Sequence, residues 1–229
     1  MLGLTSKNSG NDGERCHVGR PYMDGILAAG GLPLGLPPGC PPADVYAAVD
    51  GLMLIGGPDI DPANYGEPRH DKTEVVALDR WETERALIGQ RPAGMPVLGV
   101  CYGCQALAAM AGGSMIQHLP DTIGDDRHSG GTLQQILVEE GSLLHQLVGT
   151  TMVEGKSYHH QAIKEPGTGM RVAARCGDVI EAIEGDGWVL GIQWHPERTP
   201  ESQSTKRIFR GFVEACKTYR EEAQSCGTW

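Results

Sequence analysis

The chain has 229 residues, 40% of them hydrophobic and 21% charged, with a formal net charge of −10 at pH 7. That length holds one large α/β domain or two small ones, and the composition is that of an ordinary globular protein. The acidic balance argues against a general nucleic-acid surface and against attraction to anionic lipid. No apolar run nears the roughly 18 residues of a membrane span, and residues 1–10 lack a basic start followed by an apolar core, so the expectation is a cytoplasmic protein. Cys16, Cys40, Cys101, Cys104, Cys176, Cys216 and Cys226 are odd in number and scattered, which is not a disulfide framework. The 33 glycines and 15 prolines point to many tight turns.

In chain order, Met1–Ser6 reads as a first strand and Lys7–Gly19 as a polar loop. Tyr22–Ala29 reads as a helix closed by Gly30-Gly31, Leu32–Leu36 as an apolar piece, and Pro37–Pro42 as a loop. Ala43–Val49 reads as helical, and Gly51–Ile55 as a buried strand ending at Gly56-Gly57. Pro58–His70 has loop chemistry throughout. The spacing predicts a helix over Thr73–Gln90 with Leu78, Trp81, Arg85 and Ile88 inward and charge outward. Pro96–Val100 reads as a buried parallel strand and Gln105–Met110 as a helix stopped by Gly112-Gly113. After a polar stretch come a strand, Leu133–Val138, and a short helix, Ser142–Leu147. Met170–Ala174, Val179–Ile183 and Val189–Trp194 sit at hairpin-like spacing and read as antiparallel additions. Gln203–Ala223 closes the chain as an amphipathic helix. The expected architecture is one three-layer α/β domain over 1–229, with a mostly parallel sheet.

The chemistry centres on Gly99-Val-Cys-Tyr-Gly103, a strand, a tight turn and a helix with glycine on both sides of a thiol. That is the layout of a nucleophile elbow, with Cys101 where a hydrolase would carry serine. A helix N-terminus favours the thiolate, and the Tyr102 backbone N–H can face a developing oxyanion. A cysteine nucleophile needs a base and an orienter, and His195-Pro-Glu197 supplies both types. If the strand runs through His195, positions i and i+2 point the same way and Glu197 can hold the imidazole. Glycines directly after a buried strand, in Leu54–Asp59, let a backbone N–H such as that of Gly57 complete an oxyanion hole.

The ordered motifs GxCxGxQ, GGPDIDPxxYG, SYHHQ and GIQWHPE resemble the class I glutamine amidotransferase-like hydrolases. The closest likeness is to peptidase family C26, the branch that includes γ-glutamyl-γ-aminobutyrate hydrolase. The resemblance implies a flavodoxin-like fold, a Cys101/His195/Glu197 triad and hydrolysis of γ-glutamyl amides through a γ-glutamyl thioester. It also implies that Gln105 and the Ser157–Gln161 segment, with Ser157, Tyr158, His159 and Gln161, hold the glutamyl half, and that His160 is a surface residue. Neither metal nor cofactor is implied. The partner is a small-molecule γ-glutamyl amide rather than nucleic acid or membrane, and a homo-oligomer stays open. Three positions depart from the family pattern: Tyr102 where Arg is frequent, Lys156 where Asn is common, and Trp81 where Asp usually follows Arg80. Tyr102 is expected to present an aromatic face to the leaving amine.

The same triad also suits the glutaminase subunit of an amidotransferase that feeds ammonia to a synthetase. Cys101-Tyr-Gly-Cys104 is a CxxC that admits a redox reading, which the downstream His-Pro-Glu disfavours. A non-enzymatic binding domain is disfavoured by the intact Cys/His/Glu set.

Overall fold

The short apolar runs assemble side by side into an eleven-stranded sheet in the computed structural model, which describes residues 1–9 and 15–225. The elements in order are β1 Leu2–Thr5, β2 Lys7–Ser9, β3 Arg15–His17, α1 Arg20–Ala28, β4 Pro33–Leu36, α2 Pro42–Ala48 and β5 Gly51–Leu54. A 3₁₀ turn at Pro62–Tyr65, α3 Leu78–Gly89, β6 Val97–Val100, α4 Tyr102–Met110, β7 Ser114–Ile116 and α5 Leu119–Ile123 follow. Then come β8 Thr132–Val138, α6 Leu143–Val148, β9 Met152–Ser157, β10 Ala162–Glu165, β11 Met170–Cys176, β12 Val179–Gly185 and β13 Val189–Ile192. A 3₁₀ turn at Pro196–Arg198 and α7 Gln203–Ser225 complete the chain.

The sheet order is β4-β1-β5-β6-β13-β12-β11-β8-β9. From β4 to β13 the neighbours run parallel, and from β13 to β9 they run antiparallel. β10 pairs with both β12 and β7. Alternation along the parallel strands divides the core in two. Leu4, Met53 and Leu98 face Ile26, Ile208 and Phe212 of α1 and α7. Leu52, Leu54 and Val97 face Val45, Leu87 and Ala106 of α2, α3 and α4. Helices therefore cover both faces, the arrangement a buried parallel sheet requires.

Several boundaries move for identifiable reasons. The helix expected over Thr73–Gln90 begins only at Leu78, because Val75 makes a parallel bridge to Asp59. Its inward face carries Arg80, Trp81, Glu84 and Leu87, while Leu78 is exposed; Arg80 and Glu84 satisfy each other, so charge can point inward. Helix α4 starts at Tyr102 rather than Gln105, directly after the thiol. Within Lys7–Gly19, expected as a loop, β2 and β3 pair antiparallel, whereas residues 10–14 lie outside the described residues, as does Cys226. Among the described residues no helix is long and apolar enough to cross a membrane.

Candidate active site

The C-terminal ends of β5, β6 and β13 converge, which is where open α/β sheets form their crevices. Between β6 and α4 the backbone turns at Cys101 with φ 53° and ψ −109°, the one non-glycine residue with positive φ among the described residues. The turn is held by main-chain contact. The Cys101 N–H donates to the Ile192 carbonyl at 2.7 Å, and Gly103 lies so close to Leu54 that a Cβ would overlap its carbonyl oxygen. The thiol thus stands at the start of α4, where the unpaired N–H groups favour negative charge. The Gln193 side-chain amide, from the GIQWHPE segment, reaches the Cys101 Sγ at 3.7 Å. Sequence reasoning assigns Gln193 no role, although it lies inside that motif.

His195 follows β13. The expected strand through His195 and Glu197 is instead a strand end followed by a 3₁₀ turn, since Pro196 has no N–H to extend a ladder. The turn still brings the two together: His195 Nδ1–H donates to Glu197 Oε1 at 2.6 Å, and the His195 N–H donates to the Lys156 carbonyl at 2.9 Å. Burial works against a charged imidazole, but the Cys101 sulfur and Glu197 outweigh it and push the His195 pKa up to about 10. Gly56 sits between the partners, its missing Cβ leaving a point 3.1 Å from His195 Cε1 and 3.8 Å from Cys101 Cβ.

Tyr22 of α1 also belongs here. Its hydroxyl accepts from the Gly56 N–H at 3.1 Å and lies 3.4 Å from His195 Nδ1. Burial, then the charges of Glu197 and Cys101, raise its pKa and keep it a neutral phenol. Nothing in the sequence around Tyr22 marks it, because its partners lie far along the chain.

Beneath the Gly56-Gly57 turn runs a buried polar network. Arg80 donates to the Ile55 carbonyl at 2.7 Å, to the Gly56 carbonyl at 3.3 Å, and from Nε to Glu84 Oε1 at 3.0 Å. The Tyr102 hydroxyl donates to Glu84 Oε2 at 2.7 Å, and the Arg80 guanidinium lies 4.3 Å from the Tyr102 ring centre. Tyr102 is fully buried, so the expected aromatic face toward a leaving amine is corrected: Glu84 and Arg80 draw the ring into the core. Only its backbone N–H can serve the site. Gly57 packs on Arg80, so its backbone is fixed from below.

A cavity of about 170 Å³ opens on Cys101 and is lined by Gly57, Asp59, Glu74, Gln105, Tyr158 and Gln161, among others. Gln161 is buried with both side-chain amide atoms unpartnered. Gln105 Nε2 is committed to the Gln161 carbonyl and to Gln193 Oε1, each at 3.1 Å, which leaves its Oε1 for a ligand. Tyr158 is exposed and meets the His195 ring edge-on at 5.3 Å. Ser157 is fully buried in β9 and does not line the cavity. His159 lines it but is buried: Nδ1–H donates to the Gln161 carbonyl at 2.8 Å while Nε2 lies 3.5 Å from Glu181. Burial opposes the Glu181 carboxylate, yet His159 and His128 together hold its pKa below the ordinary value. His160, expected at the surface, is half-buried because Nε2–H donates to Asp59, 3.1 Å from its Oδ2. That bond raises the His160 pKa against the opposing effect of burial.

Two groups of side chains bring three possible metal ligands within 4.8 Å among the described residues: His128, His159 and Glu181, of which His159 lines the cavity, and His70, His118 and Asp121, which line a separate cavity.

Known proteins resemble the chain over most of its length. The peptidase C26 family model matches residues 3–197. A Mycobacterium tuberculosis protein with the provisional name glutamine amidotransferase Rv2859c is 40% identical over 86% of this chain and 67% of its own. The γ-glutamyl-γ-aminobutyrate hydrolase PuuD of Escherichia coli K12 is 29% identical over 89% of this chain and 87% of its own. Among solved structures, a Thermoplasma acidophilum protein provisionally described as a GMP synthase component superposes with a TM-score of 0.70 over 98% of both chains, at 20% identity.

Proposed function

The chain belongs to the peptidase C26 family of glutamine amidotransferase-like hydrolases, and from that premise we propose that it hydrolyses γ-glutamyl amides with Cys101 as nucleophile. The observation that carries the reading is the 2.6 Å bond from His195 Nδ1 to Glu197 beside a thiol held in an elbow. With Nδ1–H committed to Glu197, Nε2 is the nitrogen left to exchange a proton with Cys101. In this scheme the Cys101 thiolate attacks the γ-carbonyl, and the imidazolium gives its proton to the departing amine. The neutral imidazole then takes a proton from water, which attacks the thioester and releases glutamate. The Gly57 and Tyr102 backbone N–H groups face the developing oxyanion. Gln161, with a free donor and a free acceptor, and the Gln105 carbonyl oxygen are the polar groups for the glutamyl α-ammonium and α-carboxylate.

Asp59 and Glu74 place two carboxylates on the cavity wall. The leaving amine in this reading is therefore neutral or cationic rather than carboxylate-bearing. The amidotransferase names among the relatives favour a second reading, in which glutamine is the substrate and a synthetase takes the ammonia. Incubating the purified protein alone with glutamine and with a panel of γ-glutamyl amines, and measuring released glutamate, separates the two. Turnover of γ-glutamyl amines that vanishes in Cys101→Ala supports hydrolysis. Turnover of none of them, or turnover that survives in Cys101→Ala, overturns it.

A further inference from the structure

Outside the catalytic cavity, His118 lies at the start of α5 and Asp121 three residues later, so both project from one side of its first turn. Facing them is His70, at the end of the Pro58–His70 loop. His70 Nε2 is 3.1 Å from Asp121 Oδ2, and His118 Nδ1 is 3.2 Å from Asp121 Oδ1. The two imidazole rings stack at 5.2 Å with 17° between their planes. His118 Nδ1 is buried and makes no hydrogen bond of acceptable geometry, although a carboxylate stands beside it.

These separations suit a shared ion once the stacked rings turn, because an imidazole lone pair lies in its ring plane and planes 17° apart do not meet beside the two nitrogens. Three ligands at zinc-to-nitrogen and zinc-to-oxygen distances of about 2.0–2.1 Å around a tetrahedron stand roughly 3.3 Å apart. The geometry points to a site for a divalent first-row metal ion, zinc in particular, held by His70 Nε2, His118 Nδ1 and the Asp121 carboxylate. Two imidazoles and one carboxylate form a donor set of the kind zinc takes, and the fourth position opens on a cavity of about 570 Å³.

Three further features fit that assignment. First, His70 Nδ1 accepts from the Lys72 N–H at 3.2 Å and lies 3.2 Å from Asp71 Oδ1, so an ion on Nε2 requires the ring proton to move to Nδ1, where Asp71 stands ready to accept it. A carboxylate behind a ligating histidine is the usual support of such a site. Second, the His70 loop is already fastened to the residue before His118: the His70 N–H donates to Gln117 Oε1 at 2.9 Å, and Gln117 Nε2 donates to the Pro68 carbonyl at 3.0 Å. The ligands are thus held close before any ion arrives. Third, the cations on the cavity wall have anionic partners of their own, Arg69 with Asp61 at 2.9 Å and Lys164 with Glu67 at 3.9 Å.

The site stands apart from the proposed reaction, yet it touches the same rim. The His118 ring meets that of His160 edge-on at 5.7 Å, and His160 holds Asp59 on the catalytic cavity. A bound ion would fasten the 67–73 segment to α5 and so fix one wall of the pocket. The group of His128, His159 and Glu181 is buried instead, with His159 on the wall of the catalytic cavity.

The test is Zn²⁺ titration by calorimetry in the Cys101→Ser background, which removes the active-site thiol as a competing ligand. Co²⁺ substitution followed by its visible bands reports the ligand type, and hydrogen exchange reports residues 67–73. The expected result is one ion per chain, slower exchange across 67–73, and loss of saturable binding in both His118→Ala and Asp121→Asn. Asp71→Asn should weaken binding by about 10- to 100-fold. Asp121 is exposed, so its variant tests the site without disturbing the core. Absence of saturable binding, or binding unchanged in His118→Ala and Asp121→Asn, would overturn the proposal.

Discussion

Tyr22 and His195 are 173 residues apart in the chain, yet the phenol oxygen lies 3.4 Å from His195 Nδ1. The same oxygen accepts the Gly56 N–H, and the nearby Glu197 charge helps to keep the phenol protonated. In the proposed scheme Tyr22 acts through His195 and the turn beside it, as a positioning residue. Tyr22→Phe should therefore lower kcat with little change in KM, by roughly five- to thirtyfold for about 1–2 kcal/mol. An unchanged kcat in steady-state assays would remove Tyr22 from the site.

Cys101→Ala and His195→Ala should each abolish nearly all turnover, because the bond-forming atom and its proton carrier act as one unit. Glu197→Ala should cost about one to two orders of magnitude less than either, since an orienter shapes the base without reacting. Near-normal turnover in His195→Ala, measured as glutamate release, would dismiss the assignment.

The amine preference should follow Asp59 and Glu74, not Tyr102. We expect γ-glutamyl amides of neutral or cationic amines to exceed γ-glutamyl-γ-aminobutyrate by about fivefold in kcat/KM, the scale of one screened charge contact. Tyr102→Phe should leave that ratio unchanged and lower stability by about 1–3 kcal/mol, because Glu84 Oε2 loses its buried donor. A ratio altered by Tyr102→Phe but not by Glu74→Gln would reverse the assignment.

His160 gives the pocket a pH dependence. Its folded pKa is raised above 6.5, mainly by the bond to Asp59. The stability from that pair is fully present below pH 6.5 and is lost as the pH rises through the folded value. The imidazolium offsets the Asp59 charge, so discrimination against a carboxylate-bearing amine should sharpen as the pH rises through the raised folded value. Parallel kcat/KM profiles for the two amides check this, with NMR titration of His160 in wild type and Asp59→Asn. An identical His160 titration in both proteins would show that Asp59 is not the cause.

How much of this is legible in the sequence depends on which atoms carry the information. The elbow is readable because the close packing of Gly103 on Leu54 excludes any larger residue, and such a constraint leaves its mark in residue type. Strand β9 leaves only a faint apolar mark: of its inward positions Val153, Gly155 and Ser157 only the first is a large apolar residue, and Gly155 is bare because the Trp194 indole rests on it. Helix α3 misleads by face, since Arg80 and Glu84 are charged and still buried against each other. His195 and Glu197 pair as their residue types suggest but through a different backbone, a 3₁₀ turn in place of a strand. His160 reads as a surface residue because Asp59, its partner, lies 101 residues away.

The backbone angle at Cys101 has a consequence for the molecule as a whole. At φ 53° and ψ −109° the chain sits in territory that glycine enters readily and every other residue enters at a cost of about 1–3 kcal/mol. A glycine there would leave the sheet, both helix layers and the pocket in place and remove that penalty. The native chain is in this sense poised away from its own optimum, and resistance to heat pulls against reactivity at a single position. Where the proposed reaction is no longer needed, drift at residue 101 would be downhill, toward a hardier and inert protein of the same shape.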